Sequence, residues 1–157
     1  FLREFLNDFS HNIELHEKID NTKVIELIKG SDVGLLPTWA DSYGYSCLEF
    51  QACGCPVIST DVRSLPEINN DKCGWVIPVS KNQTGLDAQL DTKKDRLDFS
   101  NHLSKKLAEI FETILTNPGG RIEVYKRGLN SIDQIKINHN PENNINVLRP
   151  LINHMFE

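Results

Sequence analysis

The chain of 157 residues is short of several things, and each shortage excludes a class of function. Basic residues are not in excess: 17 Lys and Arg stand against 22 Asp and Glu, a formal net charge of -5. A nucleic-acid partner would need a basic footprint that is not there. No apolar run approaches the roughly 18 residues required to span a bilayer, and the opening residues do not read as a signal peptide. The four cysteines (Cys47, Cys53, Cys55 and Cys73) make neither a CxxC pair nor a framework spacing. Cys53-x-Cys55 flanks a turn glycine, which fits buried reduced thiols better than a metal site or a disulfide. His11, His16, His102, His139 and His154 show no ligand spacing. Asp87, Asp91, Asp95 and Asp98 recur every three or four residues but contain no Asp-x-Asp, so they read as a solvated face. There is no internal repeat. The reduced thiols point to the cytoplasm.

What is present is ordinary globular composition, 39% apolar and 25% charged, at a length that suits one domain with a real core. The most informative stretch runs from Ser31 to Thr60. Val33 to Leu36 is a short apolar run of the kind buried on both faces of a parallel sheet, and Pro37 ends it. A polar, glycine-bearing loop from Thr38 to Tyr45 leads into a short helix. Cys53-Gly54-Cys55-Pro56 stops that helix, and Val57-Ile58 opens a second strand. Strand, helix and strand in this order make a crossover unit whose loop lies at the carboxyl edge of the sheet, where open α/β folds bind ligands.

Two acids mark the loop. Asp41 lies within it and Glu49 lies in the first helical turn, with seven residues between them. The backbone amides from Tyr43 to Ser46 stand at a helix N-terminus, an anion seat by virtue of unpaired donors and the helix dipole. Acid, amides and acid suit a ligand carrying both phosphate and hydroxyls. The alternatives are structural: Ser46-x-x-Glu49 is also a capping box, and Asp41 could simply open a turn. Thr38 could touch a phosphate or satisfy a backbone group.

These residues resemble the donor-side signature of retaining GT-B glycosyltransferases (glycosyl transferases group 1). The matching positions are Pro37-Thr38, Asp41, Tyr43-Gly44-Tyr45, Leu48-Glu49, Ala52, Gly54 and Pro56-Val57-Ile58. The chain departs from the usual pattern with Asp41 for the first Glu, Ser42 for Gly, and Phe50 and Cys53 where alanines are common. Arg63-Ser64-Leu65-Pro66-Glu67-Ile68 resembles the loop usually written Gly-Gly-x-Pro-Glu-Ile, and Gly74 to Pro78 the strand after it. The matching context covers about residues 13 to 79.

The resemblance implies an α/β fold with a Rossmann-like parallel sheet. Residues 1–157 would be a single, partial nucleotide-sugar-binding domain of a GT-B enzyme with a helical C-terminal tail. It implies transfer of a sugar, with retained anomeric configuration, from a nucleotide-diphosphate sugar to a glycan or lipid-linked acceptor. It assigns Glu49 to the ribose hydroxyls and Asp41, as the catalytic acid, to the donor sugar. Thr38, Tyr43, Gly44, Tyr45 and Ser46 would meet the sugar and diphosphate, and Lys18 and Ile19 the nucleobase. Glu67 would be a further candidate. No cofactor or metal is implied, because helix dipole and basic side chains stabilise the leaving diphosphate in such enzymes. The family's acceptor-binding domain, and two βα units carrying a glycine-rich turn and a basic pair, do not appear in this sequence. This chain alone is therefore expected to be inactive, and self-association is open. Polysaccharide or glycolipid assembly at the inner face of the membrane is the setting the family suggests. A non-catalytic nucleotide-binding or protein-interaction module of the same fold is the alternative, and a nucleotide-sugar epimerase a third.

Elsewhere, Leu2, Phe5, Leu6 and Phe9 sit at helical spacing, and Ile13 to His16 alternates like a short strand. Asp20 or Asn21 is placed to cap a helix with Val24, Ile25, Leu27 and Ile28 on its apolar face, ended by Gly30. Residues 80–99 lack an apolar period and read as an exposed insertion. Ser100 or Asn101 starts a helix with Leu103, Leu107, Ile110, Phe111 and Ile114 on one stripe, and Asn117-Pro118-Gly119-Gly120 stops it. A second helix carries Ile122, Tyr125, Leu129 and Ile132. Ile135 to Asn140 reads as a linker, and 138–157 as a C-terminal linker and helix with Val147, Leu148, Leu151 and Met155, kinked at Pro150. In a doubly wound sheet the Ile13 strand would be left two places from the Val33 strand.

Overall fold

Three short parallel strands, β1 (Gly34–Leu36), β2 (Val57–Thr60) and β3 (Trp75–Ile77), form one sheet in the order β1-β2-β3. The computed structural model describes residues 11–143, 145, 146 and 149. Leu35 pairs with Ile58 and Ile58 with Trp75, so β2 is the central strand, and all four of its residues are buried. Helices α1 (Asn21–Lys29), α2 (Tyr45–Ala52), α3 (Leu65–Ile68), α4 (Lys93–Thr116) and α5 (Gly120–Asn138) surround the sheet. Val57, Ile58, Val62, Leu65, Ile68 and Ile77 form the core, with Phe50, Leu103, Leu107 and Phe111 packed against it.

Local chemistry accounts for most boundaries. Asp20 accepts the Lys23 amide at 3.0 Å and caps α1, and Gly30 closes it. At the end of α2, Gly54 takes φ 76°, the left-handed turn that carries the chain back to β2. The order β1-α2-β2 is therefore the crossover unit expected from the Ser31–Thr60 stretch.

Asn69 joins the sheet to its covering helices. Its side-chain amide donates to the Val57 carbonyl at 3.0 Å, to Ser59 Oγ at 2.8 Å and to the Trp75 carbonyl at 3.3 Å. Its Oδ1 accepts from Gln51 Nε2 at 3.4 Å, which also donates to the Ile68 carbonyl at 2.7 Å. Both residues are fully buried.

The structure corrects several expectations. Residues 13–16 are not a strand; Ile13 and Leu15 are exposed, and no described strand lies beside them. Alternation alone specifies a strand only where a neighbour supplies ladder hydrogen bonds, and the sheet has three consecutive strands with no gap. The 80–99 segment, most of whose residues are exposed, is nevertheless anchored to the fold. Lys81 and Ala88 form an antiparallel bridge, Ala88 is buried, and its N–H donates to the Trp39 carbonyl at 2.9 Å. Backbone bonds hold this segment, and those leave no apolar period. Helix α4 begins at Lys93 rather than at Ser100 because Thr92 and Asp95 form a capping box.

Helix α5 runs through to Asn138, where a linker had been expected from Ile135. It also packs on a different face. Of the expected stripe Ile122, Tyr125 and Leu129 are exposed and Ile132 is half-buried beside Gly54, whereas Gly120, Gly128 and Ser131 are buried. Small residues permit close approach: a Cβ on Gly128 would collide with the Gly54 carbonyl, and Ser131 Oγ donates to the Cys73 carbonyl at 2.7 Å. Arg127 continues the attachment by donating to the Asp71 and Gly74 carbonyls and stacking 4.5 Å from the Trp75 ring. Gly128→Ala should therefore cost about 2 kcal/mol, in the range of overpacking, and lower Tm by roughly 4–8 °C in a thermal melt. An unchanged Tm would mean that α5 can retreat from Gly54 freely.

The helix expected over Phe1 to Phe9 lies outside the described residues. So do Val147, Leu148, Pro150, Leu151 and Met155; residues 141–143 are helical. Among the described residues, no helix is long and apolar enough to cross a membrane.

Candidate functional site

The loop between β1 and α2 is built on one carboxylate. Asp41 Oδ1 accepts the amides of Tyr43 at 3.1 Å and Gly44 at 2.6 Å, which turns the chain into the helix. Asp41 thus occupies two of the four amides expected to cradle a diphosphate. Its Oδ2 makes no hydrogen bond with any described residue. The amides of Tyr45 and Ser46 are the first two of α2 and have no carbonyl four residues back within the helix.

Gly44 is the N-cap of α2, buried, with φ 83°. A Cβ there would stand 2.6 Å from Leu65 Cδ2 and 2.7 Å from Ile68 Cδ1. Glycine is required by both the left-handed backbone and the closeness of α3. Because Gly44 is the cap, Ser46 lies inside the helix and the Ser46–Glu49 capping box does not form. Glu49 is instead a half-buried side chain on α2 with no hydrogen bond or ion pair to any described residue. It lies four positions after Tyr45, so the two share a helix face, with Ser46 beside them. Cys47 and Gln51 take the buried face. The Tyr43 and Tyr45 rings lie 5.2 Å apart, and Tyr45 is 70% exposed.

The remaining candidates separate into near and far. Thr38 is consumed locally: its hydroxyl donates to the Ala40 carbonyl at 2.6 Å, and its own carbonyl accepts from Thr60 Oγ1 at 2.5 Å. Lys18 is exposed and Ile19 half-buried, in irregular chain before α1. Neither makes a hydrogen bond or ion pair with the 38–49 segment. Glu67 is exposed on α3. The acidic run is divided among separate partners: Asp87 with Arg63, Asp91 with Gln89, Asp95 with Thr92 and Asp98 with Lys94. All four cysteines are free, and all but the half-buried Cys53 are buried. Burial pushes the Cys47 thiol up to about 12 and the Cys55 thiol up to about 11, so both stay protonated and unreactive near neutral pH.

Sequence reasoning missed Arg63. It follows β2 at the same sheet edge, and the adjacent Ser64 Oγ donates to the Ser42 carbonyl at 3.3 Å, tying the two loops together. The available signal was an arginine where the resembling loop has glycine. Beside the loop, Pro37 and Trp39 line an open apolar cavity of about 640 Å³ against Phe99, Leu103 and Leu107 of α4.

The parallel sheet with this loop at its carboxyl edge is a Rossmann-like arrangement of the GT-B type. Sucrose-phosphate synthase from Thermosynechococcus elongatus superposes on 99% of this chain with a TM-score of 0.62 at 16% identity, over 33% of its own length. The family model described as "Glycosyl transferases group 1" matches residues 7–110, and the chain belongs to that family. Among its relatives is a D-inositol 3-phosphate glycosyltransferase of Mycobacteroides abscessus, 27% identical over 67 residues, which are 42% of this chain and 15% of the relative. D-inositol 3-phosphate glycosyltransferase 2 of Catenulispora acidiphila is 32% identical over 47 residues, 30% of this chain and 11% of that protein. The chain thus spans a small part of the length of the proteins it matches.

Proposed function

We propose that this chain is the donor-binding part of a retaining glycosyltransferase that moves a sugar from a nucleotide-diphosphate sugar to a glycan or lipid-linked acceptor. The observation that carries the reading is Glu49. It is a carboxylate on the helix that leaves the β1 loop, unengaged by any described residue, on the face that also bears Tyr45. A carboxylate so placed accepts two neighbouring ribose hydroxyls. The amides of Tyr45 and Ser46 take part of the diphosphate's charge, and Asp41 Oδ2 faces the sugar. The acceptor is held by a further domain, and the leaving diphosphate is stabilised by amides and cations without a metal.

Calorimetric titration of UDP, GDP and ADP tests this. Glu49→Ala should weaken the preferred nucleotide by about 1.5–3 kcal/mol, the value of hydrogen bonds to a charged group. That is roughly ten- to a hundredfold in Kd. Equal affinity in both proteins would remove Glu49 from the site. A second reading, a non-catalytic module of the same fold, draws on the engagement of Asp41 by its own loop amides. It predicts nucleotide binding with no transfer in any longer form of the chain.

A further inference from the structure

Arg63 is the one non-glycine described residue with a positive φ, 45°. A side chain in left-handed backbone is disfavoured by roughly 1–2 kcal/mol relative to the ordinary helical region. Such outliers persist where the surroundings hold them and often where the side chain is used. The surroundings are plain. The Arg63 N–H donates to the Leu86 carbonyl at 2.9 Å, and its guanidinium makes a two-pronged pair with Asp87, Nη2 to Oδ2 at 2.8 Å. The Arg63 side chain is nevertheless 42% exposed. Through Ser64 and Ser42 its loop is bonded to the Asp41 loop. The Asp87 hydrogen bond, with a smaller contribution from the charge of Asp41, keeps the guanidinium protonated.

We propose that Arg63 is the cation that receives the donor's diphosphate, and that Asp87 holds its place until the ligand arrives. This rests on the reading of the site given above. A guanidinium fork fits a carboxylate and a phosphate in the same two-pronged manner. A diphosphate carries more negative charge than one carboxylate and displaces it. The exchange needs no movement of the backbone, because Leu86 fixes the Arg63 N–H independently of the side chain. With Asp41 seated on the Tyr43 and Gly44 amides, the loop has fewer free donors for an incoming anion, and Arg63 supplies the missing positive charge.

Arg63→Gly is the informative variant. Glycine adopts φ 45° without strain, and an exposed ion pair adds little stability, so the fold should be kept. Thermal melts would confirm that, while calorimetry compares UDP, GDP and ADP with uridine, guanosine and adenosine. The expected result is an affinity for the preferred diphosphate about tenfold weaker in Arg63→Gly, with the matching nucleoside unchanged. Asp87→Asn should do the reverse, tightening the diphosphate a few-fold. If wild type binds the diphosphate and Arg63→Gly binds it equally, the inference fails while the site stands. If both variants weaken nucleoside and diphosphate alike, Arg63 and Asp87 are only a clamp on the 80–91 segment, and the inference fails. If wild type binds none of the three diphosphates, the proposed function fails and takes the inference with it.

Discussion

Asn69→Leu should lower the thermal midpoint by roughly 6–12 °C, the equivalent of about 3 kcal/mol in a chain of this size. Leucine nearly matches asparagine in shape and adds apolar surface, so the loss comes from polar groups left behind. The Val57 carbonyl, Ser59 Oγ and the Trp75 carbonyl all accept from Asn69 Nδ2, the first two in buried contacts, and Asn69 itself is 1% exposed. Each unsatisfied group costs about 1–3 kcal/mol, offset in part by the hydrophobic gain. The damage would extend to the site, because Gln51, which donates to Asn69, is on α2 two residues after Glu49. Nucleotide affinity should therefore fall with stability in this variant, whereas Glu49→Ala should separate the two. A Tm within 2 °C of wild type would show that the strand carbonyls find other donors.

That hub was invisible in the sequence, and the reason is instructive. Asn69-Asn70 reads as loop, and nothing in its spacing predicts a side chain directed into the sheet. Local rules did well where one residue decides the backbone. Asp20 capping α1, Gly30 ending it, Gly54 turning α2 back and Asn117 stopping α4 could all be read directly. The strand–loop–helix–strand unit was legible for the same reason, since apolar runs and turn residues alternate cleanly from Val33 to Ile58. Failures came where a partner decides. Ile13 and Leu15 alternate but meet no neighbouring strand among the described residues. Of the expected Ile122–Tyr125–Leu129–Ile132 stripe the first three face outward and Ile132 is half-buried beside Gly54, because Gly128 and Ser131 allow a closer backbone approach on that side. At the site, both acids were found, each with a local duty named as the alternative to ligand binding. The capping box held open as the alternative for Glu49 does not form, whereas the turn held open as the alternative for Asp41 does, and it organises the helix entrance.

Asp41→Asn is the substitution that separates those duties. Asparagine keeps a side-chain oxygen where Oδ1 accepts the Tyr43 and Gly44 amides, so the turn into α2 should survive. The structural cost is the lost interaction of a negative charge with the helix N-terminus, about 0.3–1 kcal/mol. Nucleotide binding should scarcely change, since the ribose contact assigned to Glu49 is intact. The free Oδ2, however, loses the charge proposed to face the sugar as positive charge develops at the anomeric carbon. Removing a single electrostatic stabiliser of a transition state typically lowers kcat by about a hundred- to a thousandfold. The measurement is the transfer rate in the longest natural chain that contains this segment, alongside Tm and nucleotide Kd for the same variant. Asp41→Glu gives the complementary case: the charge is retained on a side chain one methylene longer, which must rebuild the turn before it can act. A full transfer rate in Asp41→Asn would confine Asp41 to its hydrogen bonds with the loop and remove it from the proposed role beside the donor sugar.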